Sequence, residues 1–164
     1  MERVQRDHPE VGGPRVGRSH RFLGGRDKEF ALPGMELTHR IDADAQTLVV
    51  TLRNAFEGHH LPTDSRNRAL DLVVTLFDGR GLPVPMSADA EIVDEQSEGT
   101  KRLRFRNPYR SSGKSSTQIP AGESRELALP IGTARRARIA LHYKLEPFIK
   151  DAEAHWSHTV DVEL

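Results

Sequence analysis

From residue 35 onward the chain alternates apolar and polar positions with a period of two. Met35, Leu37, His39 and Ile41 share one side, and Glu36, Thr38, Arg40 and Asp42 the other. Leu48, Val50 and Leu52 repeat the pattern, with Val49 and Thr51 as β-branched neighbours, and so do Leu70, Leu72, Val74 and Leu76. Further along come Leu103 and Phe105, with Arg102, Arg104 and Arg106 opposite, and then Leu127, Leu129 and Ile131. Ile139, Leu141, Tyr143 and Leu145 come next, opposite Ala140, His142 and Lys144, and Val160, Val162 and Leu164 close the chain. Alternation in residues of this kind is the signature of half-buried strands. Asp78-Gly79-Arg80-Gly81 predicts a hairpin turn, and its return strand over 82–85 carries two prolines, which suits a sheet edge. Residues 89–98 read as an acidic loop, 107–118 as a long polar loop, and 148–155 as one or two helical turns.

Seven or eight short strands with turns between them predict an all-β fold, an antiparallel Ig-like β-sandwich spanning 35–164. A small barrel is the structural alternative. Residues 1–34 show no sustained period and contain Gly12-Gly13-Pro14, Gly17, Gly24-Gly25 and Pro33-Gly34. Glycine and proline at that density predict an irregular arm leading into the domain.

Composition narrows the function. The 164 residues suit one sandwich with a sizeable core. Lys plus Arg number 24 and Asp plus Glu 24, so no global charge points to nucleic acid or a membrane surface. No apolar run approaches the roughly 20 residues of a membrane-spanning helix. The opening Met1-Glu2-Arg3-Val4-Gln5-Arg6-Asp7 lacks the apolar stretch of a secretory leader. There is no cysteine, which excludes disulfides, thiolate metal sites, a Cys nucleophile and the C-x-x-C-H attachment of a c-type haem. No nucleophile elbow, P-loop, dinucleotide fingerprint or H-E-x-x-H helix is present, so the chain reads as a non-enzyme.

The eight histidines are the main chemical resource. Asn54-Ala55-Phe56-Glu57-Gly58-His59-His60-Leu61-Pro62-Thr63 joins two strong strands, at the end of the sandwich where loops carry function. Neutral imidazole ligates haem iron, copper or zinc, so His59 and His60 are candidate ligands; equally, both suit an ordinary solvated loop. His20, in Ser19-His20-Arg21-Phe22-Leu23-Gly24-Gly25, is a third candidate, set in the arm. His59, His60 and a distant histidine such as His20 would make a histidine metal site. The pair His155 and His158 lacks an evident third ligand. The runs Arg102, Arg104, Arg106, Arg110 and Arg135, Arg136, Arg138 could meet phosphate or an acidic partner, but read as solvated strand faces.

The string Asn54, Gly58, His59, Leu61, Pro62, Thr63, then Leu70, Leu72, Val74, Asp78 and Gly81, resembles the C-terminal β-sandwich region of multihaem c-type cytochromes, whose pattern is N-x-x-x-G-H-x-L-P-T followed by L-x-L-x-V. Ile119-Pro120-Ala121-Gly122-Glu123-Ser124 is similar to the family's I-P-P-G-E-S turn, and Ser19-His20-Arg21-Phe22-Leu23-Gly24-Gly25 to its S-H-x-F-x-G-G. Asp64 stands where the family usually has Gly, and Ser116-Thr117-Gln118 where it often has D-T-R. The resemblance implies an accessory domain for electron transfer, in the periplasm or another extracytoplasmic space. Its cofactor would be haem c held by another domain or chain, and its partner a haem-bearing cytochrome domain or subunit. Met1-Glu2-Arg3-Val4, under the same resemblance, is similar to the residues directly after a haem-attachment motif in that family. His20, and after it His59, would then supply an axial ligand to that haem. The rival classes are a stand-alone Ig-like protein-binding module and a histidine-based metal-binding domain.

Overall fold

The computed structural model describes residues 26–63, 67–86, 99–108, 113 and 115–164, together with the backbone of 3–8 and 13–18. Two antiparallel sheets form the sandwich. The first has the order β3 (Met35–Asp42), β4 (Thr47–Asn54), β7 (Ser124–Pro130). The second has the order β6 (Thr100–Arg106), β5 (Ala69–Phe77), β8 (Arg136–Lys144), β9 (Trp156–Glu163). The all-β sandwich read from the alternation is the fold observed, and each apolar set falls where its strand predicts. Within the N-terminal stretch the structure adds a separate antiparallel hairpin of β1 (Arg3–His8) and β2 (Gly13–Arg18). A helical turn α1 (Lys28–Ala31) and a 3-10 turn (Leu32–Gly34) then lead into β3.

The core lies between the two sheets. Leu48, Val50, Leu52, Leu127 and Leu129 face Leu70, Leu72, Val74, Leu76, Ile139, Leu141 and Tyr143, and all are buried. Burial of this apolar surface is the main force holding the sheets together, at roughly 25 cal/mol per Å². Tyr143 also stacks on Trp156, with centroids 5.4 Å apart and planes inclined by 13°. The Asp78 carboxylate organises the turn after β5 by accepting from the backbone N–H groups of Arg80 and Leu82. The return segment contributes only the bridge between Phe77 and Pro83.

One end of the sandwich gathers the connections that matter. The start of β3 pairs with the end of β4, the end of β4 with the start of β7, and the start of β5 with the ends of β6 and β8. Loops 55–68, 107–123 and 145–155 therefore leave from the same end at which the arm enters. Phe56 lies across Gly34 there: a Cβ on Gly34 would stand 2.2 Å from the Phe56 ring. The same ring stacks on Phe30 at 6.0 Å. Gly34→Ala is expected to cost about 1–3 kcal/mol by overpacking. In urea denaturation that cost should largely vanish in a Phe56→Ala background, and an equal cost in both backgrounds would place its cause elsewhere.

Candidate functional site

The segment 54–63 is an ordered loop built around Asn54. That residue ends β4 fully buried. Its amide donates to the carbonyls of His59 at 2.7 Å and Ile119 at 2.9 Å, and its side-chain oxygen accepts from the Phe56 N–H at 3.1 Å. One side chain thus closes the loop and ties it to the 107–123 connection. Leu61 is buried and exchanges both backbone hydrogen bonds with Ile119, at 2.8 Å each. The Leu61–Pro62 peptide is cis, and Gln118 donates to the Pro62 carbonyl at 2.7 Å. Gly58 has φ of +78°, a conformation open to glycine at little cost. The Asn, Gly, Leu and Pro of this string therefore have structural work.

The two histidines of the loop do not. His59 and His60 are both exposed, while the His59 backbone is pinned by Asn54. Both imidazoles thus stand at the surface of a loop whose backbone is held, with no side-chain partner among the described residues. His20 lies outside the described residues, so its distance to His59 is not defined. Among the described residues, no group of three or more His, Asp or Glu side chains could hold a metal. The His155 ring Nε2 lies 3.1 Å from the Arg26 carbonyl. His39 is exposed on β3.

A second constellation covers the outer face of the larger sheet at the same end. Asp71 is the central carboxylate, 0% exposed. Arg104 holds it with two donors, Nε to Oδ1 at 2.8 Å and a guanidinium N–H to Oδ2 at 3.0 Å. Arg102 reaches Asp71 at 2.7 Å and grips Asp151 with two nitrogens at 2.8 and 2.7 Å. Lys144, 2% exposed, uses its ammonium on Asp71 at 3.1 Å, on Asp151 at 2.8 Å and on the Ile149 carbonyl at 2.7 Å. Three cations share two carboxylates, and each Lys144 proton has an acceptor. Arg102 and Arg104 are therefore not a solvated face, contrary to expectation. The reason is segment 145–155, which folds back over the sheet and is fastened through Asp151 and the Ile149 carbonyl.

The electrostatics result from this packing. Burial works to raise the Asp71 carboxyl, but the hydrogen bond from Arg104 and the charges of Arg104, Lys144 and Arg102 outweigh it, leaving it below the usual carboxylate range. Asp151 is likewise opposed by burial and pulled well down by Arg102 and Lys144. Burial lowers His142, and Arg102 and Lys144 add to that against the pull of Asp151. Its Nδ1 is 2.7 Å from Ser157 Oγ. The exposed run on β8 behaves differently: Arg138 pairs with Asp161 at 2.9 Å, and Arg136 and Arg138 lie over Phe77.

No family model matches the chain, and no curated protein matches it. Among solved structures, the crystal structure of a penta-haem cytochrome c552 from Thermochromatium tepidum matches with a TM-score of 0.61 and 22% identity, over 95% of this chain. The chain spans 45% of that protein's length. At this identity the likeness is one of fold. It extends over nearly the whole chain, and its counterpart is less than half of a multihaem cytochrome. No helix among the described residues is long and apolar enough to cross a membrane.

Proposed function

We propose that this chain is an accessory β-sandwich domain of a multihaem c-type cytochrome, serving electron transfer in an extracytoplasmic compartment. It would pack against haem c held by another domain or chain, shield it from water and offer an imidazole to its iron. The chain would catalyse no reaction of its own. The observation that supports this reading best is a fold match over 95% of the chain to part of a penta-haem cytochrome. His20 is the first candidate by the resemblance, and the exposed His59 on a fixed loop is a second group suited to axial ligation. Ligation of both axial positions converts a haem iron to a low-spin electron carrier, with a potential set by ligand and burial.

The test uses the full chain and a ferric c-type haem peptide that has one histidine ligand and an open sixth position. Adding the chain should convert the haem to its low-spin spectrum at concentrations where free imidazole, at matched histidine content, does not. His59→Ala or His20→Ala should abolish the conversion and identify the ligand. No conversion, or one unchanged in both variants and in the double variant, would overturn the reading. The protein-binding module would then be the better description.

A further inference from the structure

The ion network leaves one cation over. Arg106 continues the row of Arg102 and Arg104 along β6, but its cross-strand neighbours on that face, Ala69 and then Lys144, offer no carboxylate. Among the described residues its guanidinium has no ion-pair or hydrogen-bond partner, and its Nε is buried without an acceptor. An unsatisfied buried donor costs about 1–3 kcal/mol. Phe148 lies over it, with the Arg106 guanidinium carbon 5.2 Å and that of Arg104 5.7 Å from the ring centroid. Phe148 is itself 71% exposed, the highest value among the exposed large apolar side chains. Asp71 and Asp151 are engaged by Arg102, Arg104 and Lys144, and neither is paired with Arg106. A guanidinium with no counter-ion among the described residues and an exposed aromatic ring therefore stand together, at the same end of the sandwich as His59.

We propose that Arg106 and Phe148 form a docking site for a carboxylate carried on a planar conjugated group. The carboxylate would take the guanidinium, and the planar group would stack against the outer face of Phe148. A guanidinium binds carboxylates through paired, charge-assisted hydrogen bonds, and ring stacking on an exposed aromatic adds contact area. The identity of the occupant rests on the function proposed above: it is the propionate-bearing edge of the partner's haem. An isolated acidic side chain would use Arg106 and leave Phe148 idle.

The site can be tested without iron, so its failure is separable from that of axial ligation. The probes are 2-naphthoate, acetate, 2-naphthamide and chloride, added to the full chain at constant ionic strength. The readout is the Arg106 Nε–H resonance together with the Phe148 ring signals. Naphthoate should shift both, with an affinity about tenfold or more above that of acetate, which lacks the stacking ring, and of naphthamide, which lacks the charge-assisted contact. Arg106→Gln and Phe148→Ala should each remove this advantage, while the signals of Trp156 in the core show that the fold is kept. Equal responses to naphthoate and acetate would overturn the planar occupant in favour of an acidic side chain. Equal responses to naphthoate and chloride, or none, would overturn the site itself. Conversion of the haem peptide by His59 or His20 could succeed or fail independently of each of these results.

Discussion

Asp71→Asn is expected to destabilise the domain by about 3–5 kcal/mol, the cost of removing one partner from a buried charge cluster. The replacement has nearly the same shape, so the loss is electrostatic. Asn can still accept from Arg104 Nε through its carbonyl oxygen. Its amide nitrogen would then face Arg102, Lys144 and the second nitrogen of Arg104, which are all donors now directed at Oδ2. Arg102 and Lys144 would keep Asp151, while Arg104 would lose its ion pair with Asp71. The intact network should also give the protein a characteristic acid limb. Asp71 and Asp151 are held below their unfolded values, so their stabilisation is present above about pH 4 and is lost as pH falls through the folded values. His142 is also lowered, so the unfolded chain takes up its proton first and stability declines on acidification below about pH 6.5. Urea midpoints measured from pH 7 to pH 3 should therefore fall in two stages in the native chain. In Asp71→Asn the midpoint at neutral pH should already be low, the second stage should shrink and the first should remain. A neutral-pH midpoint within experimental scatter of the native one would show that the network contributes no net stability.

The core was legible because each strand buries one face, and Leu70, Leu72, Val74 and Leu76 need only alternation to be placed. The ion network was less so. Arg102, Arg104 and Arg106 occupy the polar phase of an alternating strand, and that phase normally faces water. What buries two of them is segment 145–155, some forty residues away in sequence, and local periodicity carries no information about such a cover. A signal did exist: Asp71 sits inside the run from Ala69 to Leu76, of which seven residues are buried. An acid in a strand covered on both faces requires cations, and Arg102, Arg104 and Lys144 were there to supply them. The β1–β2 hairpin was not legible because its pairing is made by the backbone, while its sequence has few apolar positions to alternate. The histidine loop was legible as a place but not as a structure. The string drew attention to His59, whereas the residue that shapes the loop is Asn54, whose role depends on a carbonyl 65 residues away.

Asn54→Ala should therefore do more damage to the loop than any change at His59 itself. The substitution removes three hydrogen bonds from a fully buried position and leaves a cavity, at an expected cost of about 2–4 kcal/mol. The Ile119 carbonyl would keep its bond from the Leu61 N–H, but among the described residues the His59 carbonyl and the Phe56 N–H would lose the partners they have. Asn54→Asp is expected to fare little better, since a carboxylate can accept from Phe56 but cannot donate to the two carbonyls. His59→Ala, by contrast, removes an exposed ring and should change the stability read from urea denaturation by no more than about 0.5 kcal/mol. The two variants thus separate scaffold from contact. If His59 is the haem ligand, His59→Ala abolishes ligation in a stable protein. Asn54→Ala then weakens ligation under conditions where most of the protein is still folded, because the imidazole is no longer held at one place on the surface. If ligation survives Asn54→Ala at full strength, the fixed loop is irrelevant to it, and His59→Ala against His20→Ala decides which imidazole is the ligand.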